Sequence, residues 1–235
     1  MVRGGSGAAE GPSSPELREG TATSLRRRRM RGAGGRKLTG DRRSELLQQL
    51  EELFLRAGFA HLTIDALTEE LHCSKSTLYA IAPSRDELVI VVIKHFFRTA
   101  AGRIESQVAA IDHPRDRIAS YLAGVGREMS RVSARSYADM VTHEITRSIY
   151  DHNSRVAAAR VHSMIQEGIE SGAFRQLHAE FVGEAISLLI EGIQEGALLQ
   201  RTGLSSGEAY RELSSLVLGS LANNGEPADA SKGRS

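Results

Sequence analysis

The stretch Thr63–Leu88, TIDALTEELHCSKSTLYAIAPSRDEL, decides how the chain is read. It opens on Thr63, a residue type that caps helices, and carries Ile64, Leu67 and Leu71 on one helical face. The pattern pauses at His72-Cys73-Ser74, restarts at about Lys75, and is stopped by Pro83 after Ile81. Ser84 and Glu87 then form a Ser-x-x-Glu capping box for a longer helix. Two short helices joined by a tight turn make a helix-turn-helix. On a helical wheel anchored at Leu78, Ile81 and Ala82 fall inward, while Ser76, Thr77, Tyr79 and Ala80 fall outward or on the flanks. A small, hydroxyl-bearing face of this kind can approach the edges of paired bases in a major groove.

Outward from this stretch the sequence predicts helices almost everywhere. Leu46, Leu47, Leu50, Leu53, Phe54 and Ala57 form an amphipathic stripe that begins near Asp41 and ends at Gly58. The helix opened by Ser84 continues to about residue 110. Further helices are expected near 114–131, 135–150, 154–171, 178–201 and 206–221, with Pro114 at a first helical position and Ser205 with Glu208 as a second capping box. The expected fold class is all-α with about nine helices: a three-helix DNA-binding unit over 39–86 and a further helical unit over 87–222. Residues 1–38, rich in Gly, Ser, Pro and Arg, are expected to be a disordered basic arm, and residues 223–235 a disordered tail.

Charge sharpens the reading. Residues 1–43 hold eleven Lys/Arg against four Asp/Glu, whereas the remainder holds 19 against 25. A basic arm on an acidic body suits an anionic partner, nucleic acid first, although a solubilising tail has the same composition. The single cysteine, Cys73, rules out an intrachain disulfide and fits a reducing compartment. No apolar stretch follows the arginines Arg26 to Arg29, and the apolar run Leu88–Ile93 is too short to span a bilayer. A cytoplasmic protein without a membrane segment is the expectation.

Catalytic and metal chemistry find little support. His143-Glu144 begins like the zinc-helix pattern His-Glu-x-x-His, but Arg147 stands where the second ligand belongs. There is no Gly-x-Ser-x-Gly elbow and no phosphate loop; RGAGGRK at Arg31–Lys37 lacks the glycine spacing and a preceding strand. No cofactor, metal or enzymatic activity is expected.

The segment FLRAGFAHLTIDALTEELHCSKSTLYAIAPSRDELV, Phe54–Val89, resembles the N-terminal domain of TetR-family transcriptional regulators. The matching features are Ala57-Gly58-Phe59, Thr63 with Leu67, the run Ser74–Tyr79, and the Pro83-Ser84-basic restart ending at Leu88. Departures are His72 and Cys73 where Gly and Val are usual, Ile81 and Ala82 in place of an aromatic pair, and Arg85 for the common Lys. The resemblance implies that residues 87–222 form a ligand-binding and dimerisation unit with a two-helix dimer face near its C-terminal end. The expected function is a homodimeric repressor, released from a palindromic double-stranded DNA operator by a small-molecule effector. An activator, a ligand-independent regulator, and a helical enzyme or adaptor are the alternatives.

Candidate DNA contacts are Thr63, Ser74, Lys75, Ser76, Thr77, Tyr79, Ala80 and Arg85. Ser76, Thr77 and Ala80, with Lys75, are the candidate base readers; Thr63 at a helix N-terminus, Tyr79 and Arg85 suit phosphate. Purely structural roles compete: Tyr79 packing on the first helix, Thr63 as a cap, Lys75 and Arg85 as solvated surface. Candidate effector contacts are Tyr121, Met129, Tyr137, Met140, His143 and Met164. Candidate dimer residues are Phe181, Ala185, Leu188, Leu189, Gly192, Ile193, Gly196, Leu213 and Val217, whose near-heptad spacing suits either a four-helix interface or an internal core stripe.

Overall fold

The structure is a computed structural model that describes residues 40–221. The expected basic arm and C-terminal tail lie outside the described residues. Every regular element described is a helix: α1 (Gly40–Ala57), α2 (Ile64–Glu70), α3 (Lys75–Tyr79), α4 (Arg85–Val108), α5 (Pro114–Met129), α6 (Ala134–Thr142), α7 (Glu144–Glu170), α8 (Ala179–Gln194), α9 (Ala197–Thr202) and α10 (Ser206–Leu221). The all-α expectation holds.

The caps act where the sequence places them. Thr63 Oγ1 accepts from Ala66 N at 3.2 Å and Ser84 Oγ from Glu87 N at 3.2 Å; Ser74, not expected as a cap, also caps α3, its Oγ accepting from Thr77 N at 3.2 Å. The Ser205–Glu208 box closes both ways, Ser205 N donating to Glu208 Oε2 at 2.9 Å and Glu208 N to Ser205 Oγ at 3.4 Å. Each bond satisfies an N–H that a helix start leaves without an intrahelical partner.

Two expected boundaries move. The break expected after residue 150 lies at His143, whose extended backbone separates α6 from α7. The buried Thr146 hydroxyl donates to Met140 O at 2.9 Å and meets a carbonyl freed at that break. The polar run Asp151-His152-Asn153 stays helical, with Asn153 Nδ2 bonded to Ile149 O at 2.7 Å. The helix expected over 178–201 is divided because Gly196 adopts φ +77°, a conformation that suits glycine, so ten helices stand where about nine were expected.

Two buried clusters hold the chain together. The first gathers Leu46, Leu50, Phe54 and Phe59 with Leu67, Leu78, Ile81, Ala82 and Leu88, Val89, Val92, Ile93, Phe96 and Ala100 of α4, and draws in Tyr137, Met140, Ile149 and Tyr150. The second joins Ile104 and Val108 at the end of α4 to α5, α7, α8 and α10. α4 therefore belongs to both cores, and the helix-turn-helix is sealed partly by α6 and α7. No described helix is long and apolar enough to cross a membrane.

Candidate nucleic-acid interface and ligand cavity

Leu78 is fully buried and pins α3 to the first core, flanked by buried Ile81 and Ala82. The opposite face stays open. Tyr79 is 48% exposed, Ser74, Lys75, Ser76 and Ala80 are exposed, and Thr77 is half-buried. The hydroxyls of Ser74, Ser76 and Thr77 cluster, with Ser74 Oγ 2.7 Å from Ser76 Oγ and 2.8 Å from Thr77 Oγ1. α3 thus presents a patch of small donors and acceptors beside one phenol. His72, in the tight turn before it, sits at φ +47°. That left-handed turn is where glycine would be unstrained, and histidine occupies it.

The two basic candidates are engaged within the chain. Lys75 Nζ is ion-paired with Asp65 of α2, which raises its pKa. Both side chains are solvent-exposed, so water competes for this pair and it opens at little cost. Arg85 requires a correction to its reading as a phosphate ligand. Its Nε donates to Leu62 O at 2.7 Å, and its Nη2 to Phe59 O at 2.6 Å and Ala60 O at 2.9 Å, while Nη1 meets Asp86 at 3.0 Å. The guanidinium fork is spent on the turn that leads into Thr63. The N–H groups of the same turn are held from the body: Phe59 N and Ala60 N donate to Asp139 Oδ2 of α6 at 2.6 and 2.9 Å. Gly58 makes room, since a Cβ there would lie 2.6 Å from that oxygen.

A second site lies in the body. A partly open cavity of about 300 Å³ lies among α4, α5, α7 and α8. Phe97, Ile104, Tyr121, Leu122, Val125, Tyr150, Val161 and Ile186 make its wall largely apolar, and Glu105, Glu128, Arg160 and Glu191 supply its charges. Arg160 grips Glu105 bidentately at 3.0 and 3.1 Å. Glu128 receives two bonds of 2.8 Å from Arg103 and one of 2.7 Å from Arg131, and the Arg103 bonds chiefly hold its pKa low. Burial, then the Glu105 charge, pushes the Tyr121 phenol up to about 12, so it is a neutral hydroxyl.

Of the residues expected to meet a ligand, Tyr121 and Met129 line this cavity. Tyr137 and Met140 instead pack in the first core, where the Tyr137 ring meets Tyr150 edge-on at 5.4 Å. Met164 is buried in the second core, and His143 is exposed at the α6–α7 break. Sequence reading missed Phe97, Tyr150 and the Glu105–Arg160 pair. Phe97 and Tyr150 sit in amphipathic helices where one more apolar residue carries no signal, and the ion pair joins residues 55 apart in sequence.

The dimer candidates divide the same way. Phe181 and Leu188 are 72% and 67% exposed, with Ala185, Leu189 and Gly192 half-buried on α8. Ile193, Leu213 and Val217 are buried in the second core and need correction, since they cannot also face another chain. Gly196 serves the break before α9. On α10 the exposed apolar residue is Leu216, at 63%.

Among the described residues no group of three or more His, Cys, Asp or Glu is placed to hold a metal ion. No protein-family profile and no curated protein matches the sequence. Solved structures do. A protein of Saccharomonospora viridis described as a transcriptional regulator, in complex with choline, aligns with a TM-score of 0.67 at 19% identity, over 79% of this chain and 100% of its own. A TetR transcription regulator of Haloarcula marismortui aligns at 0.64 and 20% identity, over 79% of this chain and 100% of its own. A TetR/AcrR-family regulator of Thermobifida fusca aligns at 0.57 and 17%, over 80% and 100%. The chain thus has the all-helical fold of the TetR-type transcriptional regulators.

Proposed function

We propose that this protein is a cytoplasmic, homodimeric DNA-binding repressor of the TetR family that a small-molecule effector releases from a palindromic operator. The observation that carries the reading is the open hydroxyl face of α3, pinned from behind by Leu78. Residues 39–86 act as the DNA-binding unit and 87–222 as the effector and dimer unit. Ser76, Thr77 and Ala80 read bases, with Lys75 free to leave Asp65 for a guanine; Tyr79, Ser74 and the start of α2 at Thr63 meet phosphate. Residues 40–86 carry five Lys/Arg against eight Asp/Glu, so net charge there does not draw DNA in. The arginine-rich N-terminal arm supplies that attraction.

Tyr79→Ala is expected to weaken binding to the DNA flanking the protein's own gene by about tenfold or more in gel retardation, within the range for one lost specific contact. Thermal stability is expected to stay unchanged, because Tyr79 is half exposed. Wild-type binding should fall steeply as salt rises. A Tyr79→Ala protein that binds as the parent does would refute the interface.

The dimer forms across α8 and α10 through Phe181, Ala185, Leu188 and Leu216. Leu188→Glu is expected to give a folded monomer in sedimentation velocity, with much weaker operator binding. A Leu188→Glu dimer would move the interface elsewhere.

The effector occupies the cavity among α4, α5, α7 and α8; the Saccharomonospora neighbour shows that a protein of this fold takes a small molecule. The effector acts by binding two dimer shapes with different affinity. Glu128 of the cavity wall and Glu51 of α1 share one guanidinium, that of Arg131, at 2.7 Å each. Ser133 N adds a bond to Leu55 O at 2.9 Å, and Asp139 holds the turn before α2. Motion at the cavity thereby reaches the DNA-binding helices.

A further inference from the structure

The cavity's charges are unequally satisfied. Glu105 is matched by Arg160, and Glu128 by Arg103 and Arg131. Glu191, on the α8 wall, has no hydrogen-bond or ion-pair partner for its carboxylate among the described residues. Among the described residues no unpaired cation lines the cavity, so its described wall carries one uncompensated negative charge.

The remaining polar groups point the same way. Asn153 Nδ2 is spent on Ile149 O at 2.7 Å, and Ser187 Oγ on Gly183 O at 3.2 Å. The Tyr150 hydroxyl is engaged by Ser154 and Tyr137, whereas the Tyr121 hydroxyl has no described hydrogen-bond partner. Phe97, Tyr121 and Tyr150 bring aromatic rings to the wall, with Phe97 and Tyr150 centroids 6.3 Å apart. Aromatic faces attract a cation that has shed its water, and apolar walls reject one that keeps it. An inorganic ion is therefore disfavoured, and an anion would meet Glu191 while the described wall arginine, Arg160, is already held by Glu105.

We infer that the ligand of this cavity is a small organic cation, an amine or quaternary ammonium compound, whose charge is met by Glu191 and the Phe97, Tyr121 and Tyr150 rings. This rests on the reading of the cavity as the effector site and names the class of effector. The Tyr121 hydroxyl offers a second anchor for a polar group elsewhere on the same molecule.

The test uses the full chain and three probes of similar shape: benzyltrimethylammonium, its uncharged carbon analogue neopentylbenzene, and phenylacetate. Calorimetry is expected to show binding of the ammonium probe, about tenfold or more weaker binding of the uncharged probe, and none of the anion. Glu191→Gln is expected to lose about tenfold for the ammonium probe and nothing for the uncharged one. Because the half-buried Glu191 carboxylate has no described hydrogen-bond or ion-pair partner, this isosteric variant is expected to melt as the parent does. Should it not, Tyr121→Leu replaces it, with the ammonium probe again losing more than the neutral one. Equal affinity for the charged and uncharged probes, or ammonium binding indifferent to Glu191, overturns the inference.

Gel retardation separates this from the effector reading. If the uncharged probe alone binds and releases DNA, the cavity is an effector site and the cation inference fails. If the ammonium probe binds through Glu191 and the DNA stays bound, the inference stands and the effector reading fails.

Discussion

Replacing Arg131 with methionine is expected to destabilise the folded protein by about 3 kcal/mol, the low end for stripping a buried charge of its partner. That corresponds to a fall in Tm of roughly 6–12 °C for a domain of this size. Arg131 bridges Glu51 and Glu128 and lies over the Phe96 ring at 5.9 Å. Methionine keeps much of the stem's packing, so the loss is one of charge. Glu128 retains its two bonds from Arg103. Glu51, with a side chain only 5% exposed, is left with His95 at 3.7 Å. His95 is a poor substitute at neutral pH, because burial holds its pKa below the ordinary 6.5. The deficit should therefore shrink on acidification, as His95 takes up a proton beside the freed Glu51. Removing both charges in Arg131→Met with Glu51→Leu is expected to recover most of the loss, since no buried carboxylate is then abandoned. Denaturant melts of the two variants at two pH values decide it; a single variant as stable as the parent would show that this junction is solvated.

The same arginine marks where sequence reading stopped. Leu46, Leu50, Leu67 and Leu78 were legible as core because burial leaves a periodic trace, and Thr63, Ser84 and Ser205 were legible as caps because capping is local. Partners far apart in sequence leave no trace. Glu51 and Arg131 are 80 residues apart, as are Phe59 and Asp139, and each alone reads as an ordinary surface charge or loop residue. Phase was the second limit. Heptad spacing located the apolar helices at residues 178–221 but could not say which stripe faces inward, because α8 and α10 are apolar on two sides. Val217 and Leu213 went to the core and Leu216 to the surface. The cavity was legible only as aromatic and Met residues on middle helices; two of the six line it, because a cavity is a gap between helices and no residue type encodes a gap.

Arg85→Lys is expected to lose both stability and DNA binding, although it conserves charge and restores the residue common in the family that the sequence resembles. A lysine ammonium is a point donor and cannot span the three carbonyls of Phe59, Ala60 and Leu62 that the guanidinium fork holds. Phe59 O keeps its bond from Leu62 N at 3.1 Å and Ala60 O is exposed, so the loss falls chiefly on part-buried Leu62 O and should destabilise the fold by about 1–2 kcal/mol. The turn they belong to is fixed on its other side by Asp139, so loosening Arg85 frees it on one side only and tilts the start of α2 against the body. DNA affinity then falls because α3 is misplaced, and the salt slope stays as in the parent because no phosphate contact is lost. A direct phosphate ligand behaves otherwise. In that role Arg85→Lys would keep stability and nearly all binding, and Arg85→Gln would reduce the salt slope by about one contact. Chemical melts with gel retardation at three salt concentrations separate the two roles, and retained stability in Arg85→Lys would return Arg85 to the DNA surface.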